Sequence, residues 1–260
     1  VFRYDGNIIQ FDQYTTELGE AWYFMRLEFA FDPGYVPTNH IHKEFAILAK
    51  SLEASWVMHD PERKLKMGIL VSGYSHCLVE LLYRCQSGEL NAEIPFVISN
   101  HEKLSYLAEQ FGVPFYHIPV SKGDKRSAER RIVELADSES DFLVLARYMQ
   151  ILTQEFLDEY SKDVINIHHS FLPSFKGADP YKQAFERGVK VIGATAHFVT
   201  ADLDEGPIIE QLVERVSHRD IIPELKRKGK NIEKAALANA VQAYSGHRVI
   251  RYKNRTVVFQ

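Results

Sequence analysis

The sequence predicts an α/β fold. Residues 66–260 read as a Rossmann-like, mostly parallel sheet covered by helices, and residues 1–60 as a smaller ferredoxin-like α+β module. Three observations carry this reading. From Lys66 onward, short β-branched apolar runs alternate with amphipathic helical stretches. Ahead of that point the order is strand, strand, helix, strand. Between the two, Asp60-Pro61-Glu62-Arg63-Lys64 is polar and proline-bearing, so residues 61–65 read as a linker.

In the first module, residues 7–16 and 22–31 are expected as strands, the second alternating large apolar with smaller or charged side chains, with Leu18-Gly19-Glu20 as the turn before it. Pro33-Gly34 ends the second strand. A helix follows over about 37–52, with Ile41, Phe45, Leu48 and Leu52 on one face, and residues 54–59 read as a further strand. His40 and His42 are read as surface residues. This order fills only the second half of such a module. An opening strand and most of a first helix would precede Val1, so the module is expected to be truncated.

In the second part, residues 66–72 form a strand, and Gly73-Tyr74-Ser75-His76 turns into a helix whose apolar face is Leu78, Leu81, Leu82 and Cys85. Strands at 93–99, 114–119 and 142–146 then alternate with helices at 103–111 and 127–136. Residues 164–168 are the next strand, and 181–187 a short helix. Residues 191–200 and 207–216 read as an antiparallel pair, followed by a helix over 223–244 and a hairpin pairing 248–252 with 256–259.

Composition narrows the function classes. The chain of 260 residues is 45% hydrophobic and 25% charged with a net charge of −4, an ordinary globular balance that offers no basic field for nucleic acid or anionic membrane. Lys226-Arg227-Lys228-Gly229-Lys230 is the dense basic run, read as a solvated helix face. The two cysteines, Cys77 and Cys85, lack zinc-like neighbours and read as reduced thiols of a cytoplasmic protein. No run reaches the ~18 apolar residues of a membrane span. Ser72-Gly73-Tyr74-Ser75 has one glycine where a dinucleotide fingerprint needs three, which argues against nicotinamide or flavin.

The chemistry concentrates in Val164-Ile165-Asn166-Ile167-His168-His169-Ser170-Phe171-Leu172-Pro173, with the loop closed at Lys176-Gly177. Side chains alternate along a strand, so Asn166 and His168 share a face where the strand ends, and His169 points away if the strand continues. Isolated, such a pair is as readily a satisfied core pair. A second segment, Gly193-Ala194-Thr195-Ala196-His197-Phe198-Val199-Thr200-Ala201-Asp202-Leu203-Asp204-Glu205-Gly206-Pro207, adds an imidazole and carboxylates. Amide, imidazole and carboxylate together suit acyl hydrolysis or transfer. Asp202, Asp204 and Glu205 are rival bases on this reading.

Asn166-x-His168 with Ser-Phe-Leu-Pro, His197-Phe198-Val199 and Leu203-Asp204-Glu205-Gly206 resembles the formyltransferase family that uses 10-formyltetrahydrofolate. The doubled His168-His169 and the His76-Cys77-Leu78 turn are most similar to its hydrolytic branch, the formyltetrahydrofolate deformylases. The resemblance implies a small-molecule folate substrate, formate release feeding one-carbon metabolism and purine synthesis, and no cofactor or metal. It implies Asn166, His168 and Asp204 as the catalytic set. Met149, Ile151, Leu152, His197, Val199, Thr200 and Asp202 line the folate site, while Gln150 stands where the family often has Arg. The bulky Tyr74, His76 and Cys77 argue against a phosphate-bearing acceptor. The first module resembles an ACT domain, which implies an amino-acid effector and a homo-oligomer. Two alternatives stay open: transfer of the formyl group to an amine acceptor, and a catalytically silent amino-acid sensor.

Overall fold

The computed structural model describes residues 1–16, 21–31, 38–121, 123–174 and 179–260. The expected turn at Leu18-Gly19-Glu20, the break at Pro33-Gly34 and the loop closure at Lys176-Gly177 lie outside these residues. The chain divides into two compact units, Val1–Arg63 with Val257–Gln260, and Lys64–Thr256.

In the first unit β1 (Asn7–Thr15) and β2 (Tyr23–Ala30) form an antiparallel ribbon, Asn7 opposite Ala30 and Thr15 opposite Tyr23. Helix α1 (Thr38–Ser51) follows. Its buried line is Ile41 and Ala49 with half-buried Phe45, a spacing of four residues. The expected face is corrected at two positions: Leu48 flanks that line and is 49% exposed, and Leu52 lies beyond the helix end and is 67% exposed. Residues 54–59 are a second correction. They carry strand-like residues but form no strand, since none of the described strands pairs with them and a strand needs a ladder partner.

The second unit is built on an eight-stranded sheet of order β10-β9-β8-β7-β3-β5-β6, with the two-residue β4 (Ala92–Glu93) beside β3. Strands β3 (Leu65–Val71), β5 (Val97–Ser99), β6 (Phe115–His117), β7 (Phe142–Leu145) and β8 (Val164–His168) are parallel to their neighbours in that series. Strand β9 (Val191–Phe198) runs antiparallel to both β8 and β10 (Ile208–Arg215). Thus the expected antiparallel pair exists and is also the continuation of the sheet. The single strand expected over 93–99 is split into β4 and β5 around Pro95, which cannot donate to a ladder.

Helices cover both faces. Met67, Ile69 and Val71 of β3 point into one apolar layer with α2 (His76–Gln86) and α7 (Ile222–Ser245). Leu70 points into the other with α4 (Lys125–Glu139) and α5 (Gln154–Tyr160). The alternation follows from strand geometry. Short helices α3 (Ser105–Gln110) and α6 (Pro180–Glu186) and the hairpin β11 (Val249–Tyr252) with β12 (Arg255–Val258) complete the elements.

Helix α5 was not expected. Its start is set by Thr153, whose Oγ1 accepts from Phe156 N at 3.2 Å while both its own N–H and O–H donate to the buried Glu129 carboxylate.

Gly68 sits where β3 is squeezed between layers: a Cβ there would lie 2.5 Å from Phe96 and 2.6 Å from Leu143. Gly68→Ala is expected to cost about 1–3 kcal/mol, the range for overpacking a filled core. A lower urea midpoint for the loss of far-ultraviolet circular dichroism checks this; an unchanged midpoint contradicts the packing account.

Candidate functional site

The site starts from the register of β8 on β9. Antiparallel pairing sets Asn166 opposite His197 and His168 opposite Thr195. Residues opposite each other share a face, so the Asn166 amide and the His197 ring meet, Nδ2 to Nε2, at 3.2 Å. His197 Nδ1 lies 2.8 Å from Phe198 O. A carbonyl can only accept, so Nδ1 carries a proton, and Nε2 faces the Asn166 amide.

The turn between β9 and β10 then brings a carboxylate back over the strand ends. Asp204 holds a left-handed φ of 57°, which Asp tolerates better than most residues. Gly206 lets the chain fold closely onto β9, since a Cβ there would lie 1.8 Å from Phe198 O. Asp204 Oδ2 reaches His168 Nδ1 at 3.1 Å, and Oδ1 stands 3.6 Å from His197 Nε2. Asp202 and Glu205 are exposed; of the three rival carboxylates, Asp204 is the one set against the imidazoles. Burial pushes its carboxyl pKa up, but hydrogen bonds and charge from His168 and His197 outweigh that and hold it well below the usual range.

His168 is buried, at 6% exposure. Its Nδ1–H donates to Asp204, and its other ring nitrogen, Nε2, is buried and has no partner among the described residues. An unmet buried polar atom is costly unless something uses it.

The condition under which His169 would point away from His168 is not met. The strand ends at His168, so the next side chain does not alternate away; the two rings stack with centroids 5.1 Å apart and planes 24° apart. Burial first, then Arg147 and His168, depress the His169 pKa to about 4, so it is neutral at physiological pH. The loop after β8 is tied down through Thr195, whose Oγ1 donates to Ser170 O at 2.9 Å and accepts from Leu172 N at 3.1 Å.

The expected folate-site residues separate into two groups. Met149 and Ile151 are 53% and 58% exposed beyond the end of β7, next to the strand that carries Asn166. Thr200 and Asp202 are exposed on the β9–β10 turn, Thr200 Oγ1 donating to Asp202 O at 3.1 Å. Leu152, by contrast, is buried in the layer with Phe156 and Tyr160, and half-buried Val199 packs on the same layer. Leu152 is buried because α5 begins at once and draws it inward. His197 is buried, facing Asn166 and Asp204.

A second polar cluster was missed. Glu233 of α7 is buried, yet its Oε2 accepts from His76 Nε2 at 2.8 Å and its Oε1 from Tyr181 Oη at 2.5 Å. Arg147 Nε lies 3.5 Å from Oε2. Burial raises the Glu233 pKa, but His76, Arg147 and Tyr181 outweigh it and lower it. The signal was legible: Glu233 falls on the buried stripe Leu225, Gly229, Ile232, Ala236 and Ala240, where a carboxylate needs partners. His76, Cys77 and Glu233 bring potential ligand atoms within 4.8 Å of one another. The residues fit a cation poorly. The 2.8 Å His76–Glu233 contact is a hydrogen bond, Arg147 already supplies positive charge, and burial raises the Cys77 thiol pKa well above its usual value.

Amide, imidazole and ionised carboxylate converge at the carboxyl end of a central strand, the arrangement of an acyl-group-handling α/β enzyme. Residues 65–241 match the Formyl transferase family. Formyltetrahydrofolate deformylases of Synechocystis and Bacillus subtilis are each 45% identical over 260 residues, the whole of this chain and 91% and 87% of theirs. The crystal structure of a formyltetrahydrofolate deformylase from Pseudomonas syringae superposes with a TM-score of 0.95 at 43% identity, covering 100% of this chain and 87% of that one. A glycinamide ribonucleotide transformylase from Symbiobacterium toebii gives 0.73 at 28% identity over 79% of this chain and 99% of that one. The chain belongs to the formyl transferase family and, within it, to the formyltetrahydrofolate deformylases.

The Asp204 linkage has a definite sign. A carboxyl whose folded pKa is depressed contributes stability that is complete above its unfolded value, near 3.8, and is lost as pH falls through the lower folded value. The melting temperature of Asp204→Asn should therefore sit below the parent's at neutral pH, with a gap that closes only below about pH 4. A gap already closed near pH 6 contradicts the ion-pair account.

Proposed function

We propose that the protein hydrolyses 10-formyltetrahydrofolate to tetrahydrofolate and formate. The observation that carries this reading is the unpartnered Nε2 of His168, aligned by an ionised Asp204 and set beside the Asn166 amide. Water attacks the formyl carbon while His168 Nε2 takes its proton. Charge that builds on the formyl oxygen is met by the Asn166 N–H, a contribution of roughly 3–4 kcal/mol for one such donor. Collapse of the tetrahedral intermediate breaks the carbon–N10 bond, and the imidazolium returns the proton to N10. Asp204, held ionised far below neutrality, is a weak base; it orients His168 and stabilises the imidazolium. No bound cofactor or metal is needed in these steps.

The folate ring system is read as lying along exposed Met149 and Ile151, with the Val199–Thr200–Asp202 turn and His197 at its edge and Leu152 as a buttress. Residues 1–60 are read as an ACT-like regulatory domain joined by 61–65 to a catalytic domain over 66–260. An amino-acid effector and a homo-oligomer are part of this reading. Exposed Ile8, Ile9 and Phe11, at 52%, 60% and 50%, support the latter. No helix among the described residues is long and apolar enough to cross a membrane. A cytoplasmic place in one-carbon metabolism, with formate passed to purine synthesis, completes it.

The test is formate release from 10-formyltetrahydrofolate with no amine present. Stoichiometric formate and tetrahydrofolate are expected, and turnover that requires an added amine overturns the hydrolase reading. Asn166→Ala and His168→Ala should each lower kcat by about 10²–10³ with an unchanged circular dichroism spectrum. A kcat close to that of the parent removes the role of the residue concerned.

A further inference from the structure

The strand order reverses between β3 and β7, and open α/β sheets take ligands in the crevice at such a point. Here the chain leaves β3 at Ser72 and β7 at Ala146-Arg147. Ser72 N donates to Arg147 O at 3.3 Å, and Ser72 Oγ accepts from Met149 N at 2.9 Å, so the two strand ends are pinned together.

Arg147 is unusual there on two counts. Its φ is 64°, in the left-handed region where a residue with a Cβ is strained. Its side chain is nevertheless 92% buried, by the 8% exposure it retains. The guanidinium lies over the Tyr74 ring, 5.2 Å from its centroid. Nε faces Glu233 at 3.5 Å without a hydrogen bond, and Nη1 has no partner among the described residues.

Glu233 cannot meet that need. Its two oxygens already accept from His76 and Tyr181. It supplies countercharge, which makes the buried cation tolerable, and leaves the Nη1 donor unmet. The cluster also reaches toward His168: His169 stacks on His168, contacts the Tyr181 ring at 6.2 Å, and is close enough for the Arg147 charge to lower its pKa. The Tyr74 ring covers one face of the guanidinium and the side chain is nearly all buried, which favours a small anion over a large one.

We propose that the buried Nη1 edge of Arg147, which has no partner among the described residues, is a binding site for a small carboxylate, and that its ligand is formate, the anion released beside His168. The identity of the ligand rests on the hydrolase reading above; the existence of the site does not. Formate held there leaves the reacting atoms before it leaves the protein, so accumulating formate occupies the site and slows release of the next product molecule.

The test is a titration of the full chain with ¹³C-formate at constant ionic strength, followed by the line width of the formate resonance. Saturable broadening is expected, weakened about tenfold or more in Arg147→Gln and little changed in Asp204→Asn. Should Arg147→Gln fail to fold, Tyr74→Ala removes the ring over the guanidinium from a half-exposed position and is expected to weaken formate severalfold. Acetate and L-glutamate should bind more weakly than formate. No saturation up to about 100 mM, equal binding by Arg147→Gln or, where that variant does not fold, by Tyr74→Ala, or glutamate binding as well as formate, each overturns the proposal. Because the titration uses no folate, formate binding in a protein that fails to hydrolyse 10-formyltetrahydrofolate separates this site from the hydrolase reading.

Discussion

Asn166 and His197 face each other across the antiparallel β8–β9 pair, and the rest of the site depends on that register. A slip of one residue would turn Asn166 and His168 to the other layer and present Ile165 and Ile167 instead. The slip is prevented by what those isoleucines do. Both are buried in the layer that holds Ala194, Ala196 and Phe198 of β9 and Leu237 and Val241 of α7. The polar pair is therefore aimed by the apolar pair that alternates with it. The return of Asp204 needs the same register, because Gly206 folds against the carbonyl of Phe198 and Pro207 O accepts from Phe198 N at 2.9 Å.

Two buried or half-buried carboxylates, Asp204 and Glu233, have the same electrostatic problem and solve it similarly. Burial favours the neutral acid in each case, and in each the surrounding donors win. Their partners differ in a way that separates their work. Asp204 pairs with two imidazoles, one of which keeps a ring nitrogen without a partner among the described residues. Both oxygens of Glu233 are taken, by His76 and Tyr181, with an always-charged arginine beside them, which suits a fixed support. His169 lies between the two and stays neutral, so it adds no like charge beside His168 when that ring is protonated.

Much of this was legible in the sequence because local patterns and tertiary structure agree. The β-α alternation after Lys66, the Asn166-x-His168 face and the antiparallel pair around Asp204 rest on strand periodicity and turn residues, which act over a few positions. What was not legible depends on partners. Residues 54–59 look like a strand but have no ladder. The end of β8 at His168 was legible, but the stacking of His169 on His168 was not, because it depends on the path of the loop that follows. The burial of Leu152 was not legible because helix α5, which buries it, begins with a cap completed by Glu129, 24 residues earlier. The Glu233 cluster joins α2, the end of β7, α6 and α7, four segments that no single window contains. Its one local sign was a carboxylate on an apolar helical stripe.

A parallel sheet with a polar strand end does not itself choose between water and an amine as the acceptor of a formyl group. On the hydrolase reading the choice lies in the crevice between β3 and β7. An amine acceptor needs a bound partner, held by donors and acceptors left free for it. Here the carboxylate of Glu233 is consumed by His76 and Tyr181, and Tyr74 lies over the Arg147 guanidinium. Water needs no such pocket, only access to a carbon next to a base. With Glu233 already paired and Tyr74 over the guanidinium, the crevice offers a large nucleophile little to hold it, while the geometry at Asn166, His168 and Asp204 is intact. The left-handed strain at Arg147 is consistent with this economy: a strained backbone is retained where the side chain it delivers has work that a relaxed residue could not do.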